Sequence, residues 1–198
     1  MINLEKIGKD EPYLKFKNYY DEATKFQQKN IDAIAISSYD LKKNEVNCRF
    51  VNLKYIIDED WIFFSNYNSN KAKNFTNHEQ ISAVFYWNSI DVQIRIKANI
   101  KKTSNEFSDE HFNKRDFKKN ALAISSDQSK IIDSYDDVVS NYKKVIELDK
   151  NIERPEHWGG YLFKPYFIEF WEGHHSRINK RIVFEKTNKE WNSFFLQP

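Results

Sequence analysis

The sequence predicts a mainly β protein with helices (α+β), built as an antiparallel barrel decorated by helices. Three observations carry this. Many short apolar runs are present, and the clearest, Val92 to Ala98, alternates with polar residues at period two. Longer helix-period stripes are confined to the first 30 residues and to the stretch between Thr103 and Ile146. Composition supplies the third: 16 Phe, 11 Tyr and 5 Trp against four Gly give enough apolar surface to offset chain entropy. A chain of 198 residues suits one domain with an extension. The expected division is an N-terminal helical extension over 1–30 and a barrel domain over 31–198.

Taken in order, Pro12 to about Lys29 carries Phe16, Tyr19, Tyr20, Ala23 and Phe26 at the 3–4 spacing of an amphipathic helix. Ile31–Ser37 and Val46–Tyr55 flank a polar turn and read as a strand hairpin. Asp58-Glu59-Asp60 turns the chain into Trp61–Ser65, and Ser69 is placed to cap a short helix running to Thr76. Ile81–Trp87 and the alternating segment after Val92 are strands. Thr103 and Glu106 have the spacing of a capping box for a helix running toward Arg115. Tyr135, Val138, Val139, Tyr142, Val145 and Ile146 form one helical stripe, with Asp136 and Asp137 in its first turn. Strands return at Tyr161–Phe163, Phe167–Trp171, Arg181–Lys186 and Trp191–Phe195.

Net charge is +2 with both signs interspersed, which argues against a nucleic-acid or membrane partner. Cys48 is the single cysteine, so an internal disulfide and multi-thiolate metal sites are excluded. Met1–Asp10 has no signal-peptide core, and no run reaches the ~20 apolar residues of a membrane span. The expectation is a soluble cytoplasmic protein.

Several segments carry residue types suited to anions and heteroaromatic rings. Arg49-Phe50-Val51-Asn52-Leu53-Lys54 puts cations at both ends of an apolar strand, which suits an anion or simply an amphipathic surface. Asn66 to Lys73 is a polar turn entering a helix, with Lys71 and Lys73 near free amides, a plausible phosphate seat. Gln93, on the polar face of its strand, offers a donor and an acceptor to a ring edge, though a solvated position reads equally well. Gln128-Ser129 is similarly open. Arg177 and Arg181 lie four apart beside an aromatic run, an arrangement that suits a phosphorylated aromatic ligand on one helical face or one side of an extended segment. Adjacent His174 and His175 would point oppositely in a strand and have no placed partner, so no metal is expected. No glycine-rich nucleotide motif is present.

Together these segments resemble the pyridoxamine 5′-phosphate oxidase family. The resemblance rests on Arg49–Lys54, Phe63–Lys71, Phe85-Tyr86-Trp87 with Gln93, Phe112 with Arg115, and Ser125–Ser129. It continues through Arg154-Pro155, Trp158-Gly159-Gly160-Tyr161, Glu169–Gly173, Arg177, Arg181 and the terminal Leu196-Gln197-Pro198. It spans Arg49 to Pro198.

The resemblance implies an FMN-binding split β-barrel that forms a homodimer with FMN at the subunit interface. In that frame Arg49 and Lys71 meet the FMN phosphate with Ser65 and Ser129. Phe50, Val51, Asn52, Leu53, Lys54 and Phe64 line the flavin, Asn70 lies in its phosphate loop, and Gln93 and Gln128 hydrogen-bond it. Trp171 and Arg181 complete the site. Lys54, His111, Arg115, Lys119, Arg177 and Asn179 face a phosphorylated aromatic substrate, and Arg177 and Asn179 stand nearest the chemistry. Departures from the family pattern are Asn70 for an arginine, His111 for a tyrosine, Lys119 for a serine, Asn179 for a histidine and Phe195 for an arginine. Three activities follow in order of preference. The first is oxidation of pyridoxamine or pyridoxine 5′-phosphate to pyridoxal 5′-phosphate, with oxygen as acceptor and hydrogen peroxide as product. The second is a related FMN-dependent oxidase acting on another, dihydro-phenazine-like, aromatic. The third is a flavin- or pyridoxal-phosphate-binding protein without catalysis.

Overall fold

A computed structural model describes residues 1–147 and 152–198. The described residues form nine strands in one sheet and five helices. The strands are β1 (Asn3–Ile7), β2 (Ala33–Asp40), β3 (Glu45–Asp58), β4 (Asp60–Asn66), β5 (Gln80–Trp87), β6 (Val92–Lys102), β7 (Trp158–Glu172), β8 (Lys180–Thr187) and β9 (Glu190–Leu196). The helices are α1 (Glu11–Lys25), α2 (Asn70–Asn77), α3 (Asn105–Lys114), α4 (Phe117–Ser125) and α5 (Tyr135–Ile146).

The pairings β3–β2–β5–β6–β7–β4–β3 return to their start, so six strands close into a barrel. Among the described residues only the β1–β3 pairing is parallel. Strand β7 belongs to two structures. Its first half, Trp158–Phe163, pairs with β4 and closes the barrel, whereas Phe167–Glu172 pairs with β8, which carries β9 as an arm. Pro165 stands at this exchange, opposite a register shift between Lys97 and Ala98. Proline lacks the N–H that a ladder needs, so it sits where the strand irregularity tolerates the loss. The two short runs expected at Tyr161–Phe163 and Phe167–Trp171 are therefore one long strand.

The core explains why these segments pair. On β6, Val92, Ile94, Ile96, Ala98 and Ile100 are buried, while Arg95, Lys97 and Asn99 are exposed, as the period-two pattern requires. Helix α1 plugs one side of the barrel. Its buried Phe16 ring lies 4.6 Å from Trp61, 5.7 Å from Phe85 and 5.5 Å from Trp87, the spacing of favourable aromatic pairs.

Several sequence expectations are corrected. Helix α1 ends at Lys25; Phe26 is its exposed C-cap, and Gln27 follows at φ 54°. Strand β1 was not anticipated. Ser69 occupies the N-cap of α2 without a side-chain capping bond, because its hydroxyl donates to the Asn66 carbonyl. Ser104, not Thr103, caps α3 and accepts from the Phe107 N–H. Helix α4, capped by Asp116, is an element not singled out from the sequence. No residue of the α5 stripe is fully buried.

Candidate cofactor and substrate site

The polar turn after β4 and the start of α2 converge on one cation. Lys71 Nζ donates to Ser65 Oγ (3.0 Å), Ser69 Oγ (3.1 Å) and Gln128 Oε1 (2.6 Å). Asn66 fixes the segment that brings Gln128 here, since its Nδ2 donates to the Ser126 carbonyl at 3.2 Å. On β3, Arg49 Nη1 donates to the Ile36 carbonyl and Ser38 Oγ at 3.2 and 2.8 Å. Burial, and then the charge of Arg49, lower the Lys71 ammonium to a pKa of about 8. Burial lowers that of Arg49 as well.

Both cations therefore donate only to neutral oxygens, and neither pairs with a carboxylate among the described residues. Two half-buried like charges with this donor set suit a dianionic phosphate, which would supply the missing counter-charge. The cluster thus fits the phosphate end of FMN.

Beside this cluster opens a cleft of about 200 Å³ lined by Phe64, Ser65, Arg115, Lys119, Gln128 and Trp158, among others. Its aromatic wall is ordered by stacking. Phe64 lies parallel to His111 at 3.6 Å and to Trp158 at 5.4 Å, and the Arg115 guanidinium sits 4.8 Å over the Trp158 ring. Arg115 Nη1 also donates to the Lys119 carbonyl at 2.9 Å. His111 is pushed down to a pKa of about 4 by burial and then by Arg115, Lys54 and Lys114, so it is neutral near pH 7. Lys54 Nζ is 2.7 Å from Asp32 Oδ2. Lys54 is also the extra residue of a β-bulge, because Leu53 faces Phe63 and Tyr55 faces the preceding residue, Ile62.

A second group lies on the arm. Gln93, Trp171 and Arg181 are successive partners across β6, β7 and β8. The buried carboxylate of Glu169 accepts from Arg181 Nε at 2.8 Å and Arg95 Nη1 at 2.7 Å, and Arg181 Nη1 donates to the Gln197 carbonyl. This fixes the Arg181 fork in one orientation, with the Glu169 carboxylate shared between Arg181 and Arg95.

Arg177 is exposed and lies in the β7–β8 connection at φ 61°, a strained conformation for a non-glycine residue. Asn179 Oδ1 accepts from the His174 N–H at 3.0 Å, and the Arg177 N–H donates to the His174 carbonyl. Asn179 thus holds the turn that presents Arg177.

Some expectations for these residues change. Arg177 and Arg181 share neither a helix nor one extended segment. His174 and His175 lie in the connection with rings 4.2 Å apart, not on a strand. Asn70 and Lys73 border a separate depression with Asp40 and Lys42, away from Lys71. Leu53 is fully buried in the core, so only its main chain is free to face a ligand. Phe50 and Asn52 are exposed, Val51 is half-buried, and Ser129 is exposed at φ 75°. No hydrogen bond among the described residues links the Lys71 cluster to the Gln93–Trp171–Arg181 row. Sequence reasoning missed Ser69 as an acceptor of the Lys71 ammonium, although it lies inside the polar turn. It also missed Asp32 and Tyr55, for which local sequence carries no signal.

Residues 20–149 match the family described as pyridoxamine 5′-phosphate oxidase, and residues 158–198 match the pyridoxine 5′-phosphate oxidase C-terminal dimerisation region. A pyridoxine/pyridoxamine 5′-phosphate oxidase of Leptospira interrogans is 32% identical over 200 residues, covering 100% of this chain and 92% of the relative. One from Neisseria meningitidis is 30% identical over 190 residues, covering 96% and 90%. Among solved structures, PhzG from Burkholderia lata 383, in complex with tetrahydrophenazine-1-carboxylic acid, superposes with a TM-score of 0.90 at 22% identity, covering 95% of this chain and 93% of that one. A pyridoxamine 5′-phosphate oxidase-related, FMN-binding protein from Nostoc punctiforme superposes with a TM-score of 0.80 at 10% identity, covering 96% and 99%. Both share the fold. No helix among the described residues is long and apolar enough to cross a membrane.

Proposed function

Because the chain belongs to the pyridoxamine 5′-phosphate oxidase family and is an FMN-dependent oxidoreductase, we propose that it oxidises pyridoxamine or pyridoxine 5′-phosphate to pyridoxal 5′-phosphate. For the alcohol, two electrons and two protons pass to oxygen and give hydrogen peroxide. The amine also consumes water and releases ammonia. The observation that carries this reading is a cleft with cations in its wall and beside it. Arg115 and Lys119 line it together with Phe64, and its Ser65 and Gln128 accept from Lys71, which feels the charge of Arg49.

Each residue's part follows from its chemistry. Arg49, Lys71, Ser65 and Ser129 hold the phosphate of FMN, and Gln93 and Gln128 meet its ring edge. FMN, when bound, supplies the acceptor for the substrate's hydride and passes the electrons to oxygen. Lys54, His111, Arg115 and Lys119 bind the substrate phosphate, and Arg177 closes on the substrate ring. Phe64 excludes water and orients the stacked ring, so the protein's contribution is largely positioning. The completing residues Trp171, Arg181, Arg177 and Asn179 sit on the arm that matches the dimerisation region. We therefore take the working unit to be a homodimer with the cofactor at the interface.

Purified protein reconstituted with FMN should form pyridoxal 5′-phosphate and peroxide from either substrate. Product no higher than a free-flavin control would end this reading. Asn179 favours a second one, a related oxidation of a different aromatic. Its amide already serves the turn and does not titrate near neutral pH. Anaerobic flavin bleaching with a substrate panel separates the two, since B6 phosphates alone should bleach the flavin under the first.

A further inference from the structure

The bulge at Lys54 changes which residues of β3 face the core. In an unbroken strand Tyr55 would share the inward face with the fully buried Leu53. The extra residue advances the phase, so Ile56, also fully buried, takes the inward place. Tyr55 is left half-buried on the outer face, where α3 passes. There its hydroxyl lies 2.8 Å from His111 Nδ1.

Three contacts fix the His111 ring. Its face lies on Phe64 (3.6 Å, 9°), its edge meets Tyr55 (5.4 Å, 84°), and Nδ1 meets the phenol. Nε2 has no hydrogen-bond partner among the described residues. Burial opposes protonation of the ring, and the charges of Arg115, Lys54 and Lys114 add to it. One nitrogen therefore carries the proton and the other a lone pair. The Tyr55 phenol keeps its own proton, since burial and then Glu110 push its pKa up. A phenol is a good donor and an imidazole lone pair a good acceptor, so the proton between them stays with Tyr55 Oη.

We propose that Tyr55 is a positioning residue for the substrate subsite: its hydroxyl donates to His111 Nδ1, holds the ring as the Nε2–H tautomer, and presents a neutral N–H to the substrate phosphate. This rests on the phosphorylated-substrate reading above. A neutral donor adds a hydrogen bond to the phosphate without adding a further charge to those of Arg115, Lys119 and Lys54. The tautomer matters because an Nδ1–H ring would aim a lone pair at the anion.

The test combines nitrogen-15 NMR of the imidazoles in the FMN-loaded protein with titration of pyridoxal 5′-phosphate and of pyridoxal. In wild type, His111 should carry its proton on Nε2. Tyr55→Phe should give a tautomer mixture and bind pyridoxal 5′-phosphate about tenfold more weakly, with pyridoxal affinity and flavin retention unchanged. The loss in the double variant Tyr55→Phe/His111→Ala should equal that of His111→Ala alone, because the two residues act as one unit. An Nδ1–H wild-type ring would overturn the proposal, as would a Tyr55→Phe variant with wild-type affinity for the phosphate ester. Equal losses for pyridoxal and its phosphate would also overturn it, since they would mark a packing role. If wild type binds no pyridoxal 5′-phosphate at all, the substrate reading fails and the phosphate role fails with it. The tautomer measurement still decides the Tyr55–His111 bond separately.

Discussion

Lys71 holds a positive charge in a half-buried place, beside Arg49, with only neutral oxygens to donate to. With its pKa at about 8 in the free protein, it is charged below that pH and loses the charge above it. A bound phosphate dianion favours the charged form and raises the pKa. FMN binding near pH 9 should therefore take up close to one proton, and affinity should fall as pH rises past 8. Calorimetry in buffers of different ionisation enthalpy measures the uptake; none in the wild type would contradict Lys71 as the phosphate partner. Lys71→Met should abolish the uptake and weaken FMN at least tenfold, on the order of 1.4 kcal/mol. His111 gives a second pH effect, on stability. Its folded pKa of about 4 lies below the ordinary 6.5, so between these values the unfolded chain binds more protons. The contribution is complete above pH 6.5 and is lost as pH falls toward 4. Melting curves of His111→Phe should show a shallower decline over that window. At this scale the polar turn was legible, because Ser65, Ser69 and Lys71 are neighbours in sequence. Tyr55–His111 and Lys54–Asp32 were not, because they join residues 56 and 22 apart and nothing local announces a tertiary contact.

Elements were most legible where one face is simply buried, as on β6, whose alternation survives intact. They were least legible where a single residue changes the count. The bulge at Lys54 adds one position to β3 and leaves no mark in composition, yet it decides that Tyr55 meets α3 rather than the core. The start of α3 was misplaced by one residue because Thr103 and Ser104 are adjacent hydroxyls, and only the bond to the Phe107 N–H distinguishes them. Gly159-Gly160 is a motif whose reason the fold supplies. The Gly160 N–H donates to Ser108 Oγ, and its carbonyl accepts from Tyr67 Oη at 3.1 Å and from the Thr103 N–H at 2.9 Å. A Cβ on Gly160 would stand 2.5 Å from Thr103 Oγ1, so Thr103, which leads into α3, has to shift. Gly160→Ala should cost about 1–3 kcal/mol, read as a lower denaturant midpoint, and should weaken substrate more than flavin because α3 carries His111. An unchanged midpoint would show that Thr103 yields freely there.

For the molecule as a whole, the barrel and its arm divide the candidate residues between them. Arg49, Ser65, Lys71 and Gln128 gather at the barrel, while Trp171 and Arg181 lie in register on the arm with Gln93 beside them. If cofactor sites are completed across two copies, flavin release should depend on protein concentration. Serial dilution followed by fluorescence of freed FMN should show release tracking the monomer fraction from sedimentation; release independent of dimer dissociation would place both halves of the site within one chain. The division was visible in sequence only as the gap at Pro165. The six-strand closure has no local signature, because it depends on β4 meeting β7 nearly a hundred residues later.

That closure also sets an order in time. Each strand of the ring has a neighbour on both sides, whereas β9 is bonded only to β8, at the end of the arm. Deuterium should therefore enter the outward amides of β9 before those of β5 and β6. The arm would then loosen and re-form many times during one opening of the barrel.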